Sequence, residues 1–155
     1  MTVFRIEREK YLKYTLSGIG ASMAKGFRWN SFNTKLIYTS ESRALATLEI
    51  SVHLDLSESL PVDRYYVEIE IPNDIPILGI RPESLPEKWD AIPPATITQY
   101  IGDTFVYRNE AAILKVPSSI VPLEYNYLIN PLHPDIHKIK VKKTVKMVFD
   151  SRFKK

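Results

Sequence analysis

The sequence predicts an α+β fold. Three segments alternate apolar and polar residues with period two, one segment carries a helical apolar stripe, and strands and helices follow no regular βαβ order. With 155 residues, 45% hydrophobic and 25% charged, the chain has the composition of one globular domain, expected to span residues 1–155. A chain of this length buries a core without needing disulfides or a structural metal.

The elements follow from local chemistry. Short strands are expected at Val3–Ile6 and Leu36–Thr39. A helix is expected from Glu41 to Leu54, with Ser40 as its N-cap and Glu41 where the helix dipole favours an anion. Arg64 to Ile71 reads as a strand, with Tyr65, Val67, Ile69 and Ile71 on one face and Tyr66, Glu68 and Glu70 on the other. Six prolines from Pro72 to Pro94 make the next stretch a loop-rich connection with at most short helices. A second helix is expected over Ala95–Tyr100, stopped by Gly102. Strands then follow at Ala111–Val116 and at Ile139–Phe149. In the latter, Ile139, Val141, Val145, Met147 and Phe149 share a face opposite Lys138, Lys140, Lys142 and Lys146.

Charge is unevenly placed. Residues 138–155 carry +7 and the remaining 137 residues carry −4, for a net of +3. A nucleic-acid footprint is usually a broad basic face with aromatics, so the lysine-rich strand reads first as a solvated edge whose charges discourage pairing. The absence of cysteine excludes zinc fingers, iron–sulfur clusters and cysteine nucleophiles. No apolar run has the length of a signal peptide or a membrane span, so a cytoplasmic location without membrane contact is expected.

Four residues or groups attract chemical attention. Glu49 falls within the apolar stripe of Leu45, Leu48 and Val52, which turns a carboxylate toward the interior or a cleft. Such a carboxylate either reaches water or a structural arginine, or it works in a site. Arg28 follows the glycine cluster Gly18, Gly20 and Gly26. That placement suits either a plain surface loop or a bidentate grip on phosphate, although the spacing matches no phosphate fingerprint. Ser118 ends a strand after Pro117, where turn chemistry and ribose contact are both open; no nucleophile elbow surrounds it. His133, Asp135 and His137 have a superficial metal spacing, but Pro131 and Pro134 break it, and no metal site is expected.

Taken in order, several stretches resemble the RES-domain family. They are Phe4-Arg5-Ile6, Gly26-Phe-Arg-Trp-Asn30, Leu36-Ile-Tyr-Thr-Ser40, Ala44-Leu-Ala-Thr-Leu-Glu49, Gln99-Tyr-Ile-Gly-Asp103, Val116-Pro-Ser118 and Asn126-Tyr-Leu-Ile-Asn-Pro-Leu-His133. Each is weak alone. Their order, and the ten- and eleven-residue intervals from Arg28 to Tyr38 to Glu49, make the combination specific. Phe105 departs from the pattern, where many members are expected to carry Trp.

The resemblance implies a mixed, largely antiparallel split β-sheet with flanking helices, similar to ADP-ribosyltransferases. It also implies a toxin of a bacterial toxin–antitoxin pair that cleaves the nicotinamide–ribose bond of NAD by hydrolysis or phosphorolysis. In that reading Arg28, Glu49 and Ser118 form the catalytic set, and Tyr38, Arg5 and Asn126 bind substrate. NAD is the substrate, phosphate a candidate co-substrate, and no cofactor is needed. The implied partner is an Xre-like helix-turn-helix antitoxin, in a hetero-oligomeric complex without direct nucleic-acid contact. Two alternatives stand beside it: a protein ADP-ribosyltransferase using the same site, and a non-enzymatic nucleic-acid or antitoxin-binding module using the C-terminal basic strand.

Overall fold

A computed structural model describes residues 1–154. Seven strands form one mixed sheet: β1 (Thr2–Arg8), β2 (Ile37–Ser40), β3 (Arg64–Glu70), β4 (Ile77–Gly79), β5 (Ile113–Pro117), β6 (Tyr125–Ile129) and β7 (Lys140–Lys146), in the order β4-β5-β6-β2-β1-β3-β7. Among the described residues only β4 and β5 run parallel. The sheet is split. β1 and β2 meet at a single registered pair, Phe4 opposite Ser40, whereas β1 pairs with β3 over seven positions. Three α-helices accompany the sheet: α1 (Ile19–Ser22), α2 (Arg43–Ser51) and α3 (Thr96–Arg108). Among the described residues no helix is long and apolar enough to cross a membrane.

Each face of the sheet carries its own core. Val3, Ile37, Val67, Ile69, Ile113 and Ile129 pack on one face, joined at its margin by Leu12, Leu16 and Ile136. On the other, Leu36, Leu114, Val116 and Leu128 pack against Trp29 and against Phe105 of α3. Burying these side chains contributes roughly 1.5–3 kcal/mol each before the entropy of ordering the chain is counted.

Several boundaries differ from expectation, each for a local reason. α2 starts two residues later than predicted, and its N-cap is Ser42, whose hydroxyl accepts from the Leu45 amide at 3.1 Å. Ser40 belongs instead to β2, paired on both sides with Phe4 and Asn126. Glu41 extends that edge: its amide donates to the Tyr125 carbonyl and its carboxylate accepts from the Tyr125 amide. α3 runs through Gly102 to Arg108 and ends on Asn109 in the left-handed conformation. Gly102 is not a stop; a Cβ there would lie 1.6 Å from the Trp29 carbonyl oxygen, so the glycine lets a loop lie directly on the helix.

The lysine-rich strand is shorter than its pattern. A register shift against β3 places Val141 opposite Ile69 and Val145 opposite Tyr66, on opposite faces, and both stay partly exposed. Ile139, Met147 and Phe149 are the residues of that predicted face that reach the interior. β6 had no predicted strand, because Tyr127, Leu128 and Ile129 are buried in succession and show no alternation. β4 lies inside the proline-rich stretch, where only loop and short helix were expected.

Candidate active site

Helix α2 crosses the sheet face that displays Phe4, Ser40 and Asn126. Its buried stripe is Leu45 and Ala46, at 1% and 5% exposure, while Leu48 and Val52 face solvent. The predicted stripe was therefore rotated, yet Glu49 still follows Leu45 and Ala46 by one turn and points at the sheet.

Two donors converge on one carboxylate oxygen. Glu49 Oε1 accepts from Ser118 Oγ at 2.8 Å and from Asn126 Nδ2 at 2.7 Å. Asn126 is itself oriented by Ser40, whose hydroxyl donates to Asn126 Oδ1 at 2.7 Å. Ser118 is buried, and its hydroxyl also accepts from the amides of Ile120 and Val121 at 3.1 and 3.0 Å. A hydroxyl has one proton and two lone pairs, so that of Ser118 is fully committed within the protein. Among the described residues Glu49 Oε2 takes no hydrogen bond, which leaves a fixed carboxylate with one open oxygen.

Arg28 enters from the loop before β2. Gly26, at φ 94°, turns the chain two residues ahead of it. The half-buried guanidinium donates through Nη1 to the carbonyls of Trp89 and Ala91, both at 3.1 Å. Burial lowers its pKa from the ordinary arginine value, while the charges of Asp90 and then Glu49 pull the other way. Nε and Nη2 have no partner among the described residues, and together they form the planar edge that can grip a phosphate or carboxylate.

Tyr38 lies close enough to Arg28 to feel its charge. Its hydroxyl accepts from the Trp29 amide at 3.1 Å and donates to Asn30 Oδ1 at 2.6 Å, and burial pushes its pKa up. The ring tilts against Phe27 with centroids 5.4 Å apart. Asn30 escaped the sequence reading as a functional residue. It is fully buried and donates to the Ala21 carbonyl at 2.9 Å, and its only signal was its place in the Gly26–Asn30 stretch.

Arg5 is placed elsewhere. Strand alternation from Phe4 turns it to the opposite sheet face, where Nη1 donates to the Tyr38 carbonyl at 3.2 Å and Nη2 binds Glu7 at 2.9 Å. In this position the side chain braces the split, where β1 and β2 share a single registered pair. His133 accepts from the Asp135 amide through Nδ1 and so caps the turn Pro134–Lys138. No group of three potential metal ligands occurs among the described residues.

Two open grooves, of about 250 and 260 Å³, lie at the ends of β7 and beside β4, and neither is lined by Arg28, Glu49 or Ser118. The candidate site is defined by its converging polar groups.

Comparison with known proteins places this geometry in context. The family model described as "RES domain" matches residues 2–150. The "Prs ADP-ribosylating toxin" of Sphingobium sp. (strain YBL2) is 44% identical over 139 residues, covering 88% of this chain and 85% of that protein. A "Toxin Res" from Photorhabdus laumondii is 38% identical over 157 residues, covering 100% and 98%. Among solved structures, the M. tuberculosis MbcT-MbcA toxin-antitoxin complex contains a chain that matches with a TM-score of 0.74 at 15% identity, covering 94% of this chain and 83% of that one. At that identity the likeness concerns the fold.

Proposed function

The chain belongs to the RES domain family, and on that premise we propose that it is the toxin of a toxin–antitoxin pair and that it cleaves the nicotinamide–ribose bond of NAD. The observation that carries the proposal is the Glu49 carboxylate, held at one oxygen by Ser118 and Asn126 and open at the other.

In this reaction the C–N glycosidic bond breaks, its electron pair leaves with neutral nicotinamide, and positive charge develops on the ribose. Glu49 Oε2 stabilises that charge and accepts the proton of the attacking water, or orients a phosphate nucleophile. The free edge of Arg28 holds the pyrophosphate, and the Tyr38 ring supplies a wall for the base or ribose. Ser118 acts on the substrate through Glu49, because its hydroxyl is fully engaged by the protein, whereas Asn126 spends one Nδ2 proton on Glu49 and keeps the other for the substrate.

A second reading, transfer of ADP-ribose to a protein, is favoured by the name of the 44% identical relative. Both readings use the same site and differ in the acceptor. The partner implied by the relatives and by the toxin–antitoxin complex is an inhibitory antitoxin, Xre-like in the family resemblance. Incubation of the purified chain with radiolabelled NAD separates the readings. Free nicotinamide with soluble ADP-ribose or its phosphate supports cleavage, and label on an added protein supports transfer. Intact NAD overturns both.

A further inference from the structure

The stretch Gln99-Tyr-Ile-Gly-Asp103 has no part in the chemistry above, yet it lies on the face of α3 that meets the Arg28 loop. Gln99, Gly102 and Asp103 share that face, at spacings of three and four. Each engages a different residue of the loop, and the three engaged residues alternate. Gln99 Nε2 donates to the Phe27 carbonyl at 2.9 Å. Gly102 lies so close to Trp29 that a Cβ would collide with its carbonyl oxygen at 1.6 Å. The Asp103 carboxylate accepts from the Ser31 amide at 3.0 Å and from the Ser31 hydroxyl at 2.5 Å. The intervening residues turn elsewhere, Arg28 to the carbonyls of Trp89 and Ala91 and Asn30 to the Tyr38 hydroxyl.

We infer that Gln99, Gly102 and Asp103 form a clamp that sets the orientation of Arg28 and thereby the capture of the dinucleotide phosphates. The clamp rests on the assignment of Arg28 to those phosphates. All three are positioning residues, since none lies among the groups that would touch the substrate. The loop has no ladder of its own in this stretch, so three attachments on alternate residues fix the peptide planes on both sides of Arg28. A guanidinium that must present two N–H groups in one plane depends on such fixing, because a shift of about 1 Å in a binding group costs up to about a hundredfold in rate.

The test uses Gln99→Ala and Asp103→Asn, each alone and combined with Arg28→Ala. Gly102→Ala is made as well, but the two polar variants decide the matter because the alanine methyl collides with the Trp29 carbonyl and threatens the fold itself. Expected is a rise in KM for NAD of about five- to tenfold in each single variant, with kcat within about twofold of the parent, and no further rise when Arg28 is already alanine. A loss that adds fully to that of Arg28→Ala, or a fall in kcat at constant KM, overturns the clamp. A second readout needs no turnover: the side-chain Nε–H signal of Arg28 in ¹⁵N spectra, assigned by its disappearance in Arg28→Ala. It moves or broadens in both variants if the clamp holds, and an unmoved signal overturns it. If the parent releases no nicotinamide, the NAD reading falls while this signal still decides the clamp.

Discussion

Two glutamates lie on the same face of the sheet, and they are held in opposite ways. Glu68 of β3 has a side chain only 8% exposed, and two cations clasp it, Arg43 Nη2 at 2.8 Å and Lys143 Nζ at 3.4 Å. Arg43 comes from the first turn of α2 and also covers the Phe4 ring at 4.7 Å. Glu68 therefore staples the start of α2 to β3 and β7. Glu49, six residues further along the same helix, is held by a hydroxyl and an amide, both neutral. Neutral donors fix a carboxylate without cancelling its charge, whereas paired cations cancel it. On the proposed function, the difference separates a carboxylate spent on structure from one free to meet a developing cation.

That contrast is exposed to experiment in several ways. The largest effects fall on Glu49, and Glu49→Asp keeps the charge but retracts it from Ser118 and Asn126. Nicotinamide release should fall about a hundredfold, because a charge misplaced by about 1 Å loses most of its value. Undiminished release would mean that charge alone suffices and the two donors are incidental. Glu68→Gln should leave turnover near the parent and lower unfolding stability by about 1–2 kcal/mol in urea titration. The loss stays below that of a fully enclosed ion pair because Arg43 and Lys143, 45% and 59% exposed, can return to water.

Ser118→Ala sharpens the account of Glu49. It removes one of two donors to Oε1 and leaves Asn126 in place, so kcat should fall about tenfold, or about 1.4 kcal/mol. A hydroxyl that instead gripped the substrate would raise KM. The smallest effect is expected for Tyr38→Phe, which keeps the ring but strips partners from the Trp29 amide and Asn30. Thermal unfolding should report a loss of about 1 kcal/mol, with NAD turnover within a few-fold of the parent.

The sequence foretold some of this arrangement for reasons that can be named. Helical spacing was enough to turn Glu49 inward, even though Leu48 and Val52 proved to be exposed, because Leu45 anchors the stripe in either phase. The convergence of Ser118 and Asn126 on Glu49 had no local signature, since they lie 69 and 77 residues away in the chain. Gly102 was misread because a glycine that ends a helix and one that admits a neighbouring backbone look alike in one dimension. β6 was hidden because a strand buried on both faces loses its alternation. The face on which Arg5 falls had no local signature, because it depends on a register that a single short strand does not fix.

The central claim is that Glu49 is the working carboxylate and Glu68 the structural one. The most direct measurement compares Glu49→Gln with Glu68→Gln for nicotinamide release from NAD and for unfolding free energy in the same preparations. Glutamine at position 49 can still accept from Ser118 and Asn126, so the account predicts a loss in kcat of at least about a hundredfold, roughly 2.7 kcal/mol, with stability within about 0.5 kcal/mol of the parent. Glu68→Gln should show the reverse, near-parental kcat and reduced stability. Near-parental release by a folded Glu49→Gln chain, or an equal loss of release in both variants, would contradict the claim.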